Sequence, residues 1–169
     1  AYARMTLADQ GVDLLLEGVA PEGLAASEAL ADFAQHNRLA RFTIDDGDGQ
    51  QTLWEPEPVT VTFGGVAVPF PPYAFLQATA DGEAALLSAA AAGLEGTARF
   101  ADLFCGLGTF ALGLGDGRAV YAAEAARDAV LALKRAANAA QRRVAVEHRD
   151  LFRRPLTSEE ANRLDAVLL

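Results

Sequence analysis

Short apolar runs separated by glycine and acidic turns fill the first seventy residues. Residues 2–6 and 13–16 flank Asp9-Gln10-Gly11 and predict a β-hairpin. In residues 25–36 the period changes. Leu24, Ala29, Leu30 and Phe33 fall on one face with Glu28, Asp32 and Gln35 elsewhere, which predicts an amphipathic helix. Ser27 is a candidate N-cap if that helix starts late. Residues 39–44 predict a strand closed by the turn Asp45-Asp46-Gly47-Asp48-Gly49. Residues 52–54 and 59–63 predict two more, and Gly64-Gly65 a hairpin turn into 66–70.

Pro69, Pro71 and Pro72 then interrupt regular structure, which places an expected domain boundary between residues 72 and 73. On this reading residues 1–72 are a small α+β domain. Beyond it, residues 80–92 predict an alanine-rich helix with Thr79 as N-cap and Gly93 at its end. Strands at 98–104, 119–123, 144–147 and 165–169 alternate with helices at 109–114, 125–140 and 158–162. Thr157 and Glu160 stand at capping-box spacing before the last helix. Such alternation predicts an α/β domain with a parallel sheet, Rossmann-like, over residues 73–169.

The candidate chemistry sits where the first of those strands ends. Gly106-Leu107-Gly108 joins it to a helix, the geometry of a ligand-binding turn at the carboxyl end of a parallel strand. Three acids, Asp102, Glu124 and Asp150, fall at or just past the ends of three successive strands. Glu124, eighteen residues past Gly106, suits two ribose hydroxyls. Asp102 suits an ammonium group or water, and Asp150 an adenine amine. Together they describe a nucleoside ligand with a positive charge. That favours S-adenosylmethionine over a dinucleotide, whose pyrophosphate Asp102 would repel.

Each feature also has a plainer reading. The Gly-x-Gly turn alone is weak, and Ala111 occupies the third glycine position of the dinucleotide fingerprint. Glu124 suits a helix start by its charge alone, and Asp150 reads equally as a loop acid. Cys105 has no adjacent His or Lys and reads as a packing residue. His36 and His148 lack metal-ligand spacing, and the turn at 45–49 lacks the glutamate and flanking helices of a calcium loop, so no metal is expected. Arg142, Arg143, Arg149, Arg153 and Arg154 are a solvated basic face or an RNA contact.

Composition bounds these readings. Apolar residues are 51% of the 169, enough to bury a core, and no run approaches the roughly 18 needed to span a bilayer. No signal peptide is visible, and a single cysteine fits a reducing, cytoplasmic setting. The net charge of −9 divides into −11 over residues 1–96 and +2 over 97–169, so the first part will not hold nucleic acid by charge. The chain does not begin with Met and is expected to be a piece of a longer protein.

The segment ADLFCGLGTFAL at 101–112 resembles the first motif of the bacterial RNA uracil-5-methyltransferases, which make 5-methyluridine in ribosomal and transfer RNA. Upstream, FGGVAVPFPPYAFLQAT at 63–79 resembles the entry to that family's catalytic domain. The resemblance covers residues 58–169 well and 1–57 less distinctly, as part of a smaller central domain. It implies S-adenosylmethionine as cofactor, with Gln77, Phe104, Glu124 and Asp150 as contacts, beside Asp102, Gly106 and Gly108 of the turn. Thr109 and Thr79 stand where the family commonly has Asn. Phe104 replaces a glycine common in other methyltransferases.

In that family a cysteine attacks carbon six of the uracil and a later carboxylate assists proton removal. Both belong beyond the strand ending at Leu169, where an Asp-Pro-Pro-Arg-like motif is expected, and Cys105 is the wrong cysteine. No iron–sulfur cysteine cluster is present. The resemblance therefore implies a fragment without catalytic residues, inactive alone, of an enzyme acting on rRNA or tRNA. Half a sheet is expected to bind cofactor weakly or not at all, and its unpaired edge leaves both a monomer and a dimer open. The rivals are an NAD-dependent oxidoreductase fragment and a non-catalytic nucleotide-binding module.

Overall fold

The computed structural model describes all residues, Ala1–Leu169, and the chain divides into two compact units, Ala1–Val61 and Thr62–Leu169. In the first, strands β1 (Tyr2–Ala8) and β2 (Gly11–Glu17) form the expected hairpin. Helix α1 (Gly23–His36) then carries the chain to β3 (Arg41–Asp45), which pairs parallel to β2, and β4 (Gln50–Trp54) closes the sheet antiparallel. Leu14, Ala34, Phe42 and Ile44 are the core, because α1 covers one sheet face with the residues its apolar stripe supplies. The other face holds a buried pair: Arg41 donates two hydrogen bonds to Asp13, at 2.9 and 2.6 Å.

Two local expectations change here. Ser27 does not cap α1; it lies within the helix, and its hydroxyl reaches back to the Gly23 carbonyl at 3.5 Å. Helix geometry starts earlier because Gly23, at φ +79°, turns the chain in directly. The acidic turn is closed by its own side chains. Asp45 accepts from the Gly47 amide and Asp46 from the Asp48 amide, at 2.9 and 3.0 Å.

A hairpin of β5 (Thr60–Phe63) and β6 (Val66–Pro69) carries the chain across the division. The line expected at residue 72 lies inside the second unit, because β6 packs on a helix of that unit. In order, the second unit continues with α2 (Ala80–Gly93), β7 (Arg99–Leu103), α3 (Thr109–Gly113), β8 (Ala119–Glu124), α4 (Arg127–Ala139), β9 (Val144–His148), α5 (Ser158–Ala161) and β10 (Ala166–Leu168). Helix α4 is the one that meets β6, together with β8 and β9. No helix is long and apolar enough to cross a membrane.

The four strands β10-β7-β8-β9 form a fully parallel sheet in that order. Parallel strands covered on both faces read as continuous apolar runs, and β7 buries Phe100, Ala101, Asp102 and Leu103 in succession. Ala101, Ala122 and Ala123 are fully buried. Their small side chains let helices approach closely. Thr79 caps α2 by accepting from the Gly82 amide at 3.1 Å, and Thr157 and Glu160 form the expected capping box on α5. The chain grows from β7 through β8 to β9, then returns to place β10 on the other side of β7. All four carboxyl ends share one edge, and the direction of growth reverses between β7 and β10. Open α/β sheets place ligands at such a point.

Candidate functional site

The site is built around the turn leaving β7. Phe104, Gly106 and Gly108 take left-handed backbone at φ +59°, +53° and +92°. For phenylalanine this conformation is costly, and it swings the ring outward, 48% exposed. The two glycines serve different ends. A Cβ on Gly106 would meet nothing within 4 Å, so its face is open. A Cβ on Gly108 would lie 2.5 Å from Leu133 of α4, a fully buried side chain. Gly108 therefore lets α4 close on the turn, and only Gly106 presents bare backbone outward. The sequence reading assigned both glycines to ligand approach; Gly108 has a packing role as well.

Asp102 is 2% exposed, and its carboxylate accepts from the Ala111 amide in α3 at 2.8 Å. Burial pushes its carboxyl up to about 7, against the opposing Ala111 bond and with added repulsion from Glu124. Glu124, the last residue of β8, reaches back to the turn. One oxygen accepts from the Gly106 amide at 3.0 Å, and the other from Ala125 and Ala126 at 2.8 and 2.7 Å. Acid and glycine turn are thus joined directly, although eighteen residues separate them. Thr109 is the half-buried first residue of α3, beside them in the chain.

Asp150 follows β9. It accepts from the amides of Phe152 and Arg153 at 3.0 and 3.2 Å, and its second oxygen lies 3.4 Å from the Arg153 guanidinium. The Phe152 ring is 5.3 Å from that of Phe104, centre to centre, so the loop after β9 touches the turn after β7. The structure brings Phe104, Gly106, Glu124 and the Asp150 loop to one edge. Gln77 lies half-buried in the irregular stretch between β6 and α2, outside this set of contacts.

Phe152 escaped the sequence reading, and Arg149 entered it only as one of a basic cluster. Phe152 is 89% exposed in an arginine-rich loop, where a lone aromatic carries no periodic signal. Arg149 is buried. It donates to both oxygens of Glu160 at 2.8 and 3.0 Å, to the carbonyls of Arg154 and Pro155 at 2.7 Å each, and to the Tyr121 hydroxyl at 3.1 Å. Its hydrogen bonds, with those of Thr157, hold the Glu160 carboxyl down at about 2. This clasp fixes the loop carrying Asp150 and Phe152. It also takes Arg149 out of the expected basic face; Arg142 binds Asp116 and the Gly64 carbonyl, and Arg153 and Arg154 contact Asp150 and the His148 carbonyl while remaining, like Arg143, exposed. His148 is tied to the Ala125 carbonyl at 2.8 Å.

Cys105 is buried, and burial, with the charges of Asp102 and Glu124, raises its thiol far above the ordinary range. Burial and a raised thiol are the features of a packing cysteine. What the edge offers is an open glycine face, the carboxylates of Glu124 and Asp150, and two exposed phenyl rings.

No protein-family model matches the chain. It is 54% identical, over its whole length, to an uncharacterized RNA methyltransferase of Zymomonas mobilis, of which it covers 43%. It is 38% identical over 165 residues to one of Brucella melitensis, matching 96% of this chain and 39% of the relative. The 23S rRNA (uracil(1939)-C(5))-methyltransferase of Edwardsiella ictaluri is 34% identical over 115 residues, 67% of this chain and 26% of that protein. The chain thus spans about two fifths of the first two relatives. Among solved structures, the tRNA (uracil-54, C5)-methyltransferase of Pyrococcus abyssi in complex with S-adenosyl-L-homocysteine superposes at a TM-score of 0.67 and 17% identity, over 93% of this chain and 39% of that one. TYW2 of P. horikoshii in complex with MeSAdo gives 0.59 and 15%, over 90% and 57%. At these identities the likeness concerns the fold: the α/β, Rossmann-like fold of S-adenosylmethionine-dependent methyltransferases.

Proposed function

We propose that this chain is the cofactor-binding part of an enzyme that moves a methyl group from S-adenosylmethionine to carbon five of a uridine in rRNA or tRNA. The observation that carries it is the bond from the Gly106 amide to Glu124, which sets a carboxylate against an open glycine face at the edge where such sheets bind ligands. The names of the relatives support the substrate class.

The residues fit the cofactor. Gly106 leaves its backbone bare on an open face, where a ligand can come close. A carboxylate has about four acceptor positions, and three amides occupy Glu124. It therefore has room for one ribose hydroxyl rather than the two expected from sequence. Above about pH 7, where its carboxyl ionises, Asp102 places negative charge beside the turn, which suits a sulfonium and disfavours a pyrophosphate. Phe104 offers its ring and Asp150 an acceptor for an amine. Gln77 and Thr109 are assigned to the cofactor by the family resemblance. When bound, the cofactor supplies the methyl group. No residue here supplies the attack on uracil, because Cys105 is buried and its thiol raised. On the family resemblance we place the catalytic cysteine and base outside these residues, and the 169 residues alone should transfer no methyl group to a uridine-containing RNA above a no-enzyme control.

Equilibrium dialysis of the full-length gene product with labelled S-adenosylmethionine and NAD tests the reading. S-adenosylmethionine should bind and NAD should not. Glu124→Gln should weaken S-adenosylmethionine by about tenfold, the order expected for losing a charge-assisted bond. NAD binding, or an unchanged Glu124→Gln affinity, defeats the assignment.

A further inference from the structure

We propose that Arg149 is a positioning residue for the ligand site, setting where the loop after β9 stands against the turn after β7; the inference rests on the reading above. Residues 149–157 join β9 to α5 without regular structure, and most of their side chains are exposed or half-exposed. Of the loop's apolar side chains only Leu151 is buried, beside Ala101, Leu103 and Ala123. The rest of the hold comes from Arg149. A guanidinium carries five N–H donors in a rigid plane, and here each has an acceptor. Nε binds the Arg154 carbonyl, Nη1 a Glu160 oxygen and the Tyr121 hydroxyl, and Nη2 the other Glu160 oxygen and the Pro155 carbonyl. The Tyr121 hydroxyl donates in turn to Glu147 of β9 at 2.6 Å.

The main chain carries the link to the other half of the site. The Arg149 amide donates to the carbonyl of Glu124 at 2.8 Å, so one residue is bonded to the end of β8, to its own loop and to α5. Burying a guanidinium is costly and seldom adds stability over an apolar residue of the same size, so what the clasp secures is geometry. Arg149 touches no ligand in this assignment. It acts through Asp150, which follows it directly in the chain. Lysine would keep the charge and lose the fork, because one ammonium cannot span both Glu160 oxygens and two carbonyls.

The test is calorimetric titration of the full-length gene product with S-adenosylhomocysteine and with its analogue bearing hydrogen in place of the adenine amine. Arg149→Lys should weaken S-adenosylhomocysteine about tenfold, the loss of one charge-assisted bond at a displaced Asp150, and leave the analogue within about twofold of wild type. Arg41→Lys is the control. It breaks a buried fork of the same kind, on Asp13 in the first unit, and should lower the melting temperature comparably with both affinities unchanged. Where Arg149→Lys does not fold, Glu160→Gln carries the same comparison. Equal loss of both ligands, S-adenosylhomocysteine held within about twofold of wild type, or failure of both clasp variants to fold gives Arg149 to the fold alone and overturns the inference. Wild type that holds the two ligands equally takes Asp150 from the amine and overturns it as well, with the cofactor class intact. A wild-type protein that binds no S-adenosylhomocysteine overturns the functional reading and this inference with it.

Discussion

Gly108→Ala should lower the melting temperature by about 10 °C, whereas Gly106→Ala, two residues away, should lower it by only about 3 °C. Both glycines have positive φ, so alanine at either is strained by roughly 1 kcal/mol. The difference lies in what the new methyl meets. At 108 it would sit 2.5 Å from a Leu133 methyl, and Leu133 is fully enclosed in the face of α4 that packs on the sheet. Moving it displaces close-packed neighbours, a cost of about 2 kcal/mol more. At 106 the methyl enters open space. Affinity should rank the other way. The stable Gly106→Ala protein should lose S-adenosylhomocysteine at least tenfold, because its methyl enters the space proposed for the ligand; steric blocks of this size exceed about 1.4 kcal/mol. Differential scanning calorimetry and titration of the full-length protein separate the two. A Gly106→Ala variant with unchanged affinity would remove the turn from the ligand site.

That contrast shows where the sequence is legible. Strand and helix limits lie within a few residues of those expected because apolar runs, glycines and caps act locally. Thr79 and the Thr157–Glu160 box were found from fixed spacings. The three acids were legible as strand-end residues because parallel pairing of β7, β8 and β9 puts their ends together. The use each group makes of its neighbours was not legible. Gly108 answers to Leu133, twenty-five residues on. Arg149 looked like one more surface cation, yet it is buried because Glu160 and two carbonyls turn toward it. Phe152 had no pattern to betray it, since a loop residue gains its meaning only from what the fold brings near. The prolines at 69–72 mark a break in local structure, but packing of β6 on α4 decides which unit they join.

Asp102→Asn should stabilise the protein progressively as pH rises, relative to wild type. The carboxyl titrates at about 7 when folded against 3.8 ordinarily, because burial disfavours its charge. The folded state therefore keeps a proton that the unfolded chain has released. Stability from this group is whole below the unfolded value and is lost as pH climbs through the folded one. Asparagine keeps an oxygen for the Ala111 amide and carries no charge to bury. The gap between variant and wild type should widen by about 2 kcal/mol between pH 5 and pH 8, read from urea unfolding at each pH. All other titrating groups are common to both proteins, so the difference isolates Asp102. A gap independent of pH would show that the carboxyl is ionised throughout, and with it that burial does not govern this group. Ligand binding should pull in the opposite direction. S-adenosylmethionine carries a sulfonium and S-adenosylhomocysteine does not, so the ratio of their affinities in wild type should rise about fivefold over the same pH range, roughly 1 kcal/mol of charge–charge attraction at a partly screened distance. In Asp102→Asn it should stay flat. A residue that weakens the fold above pH 7 while favouring the charged ligand has the signature of a group retained for binding.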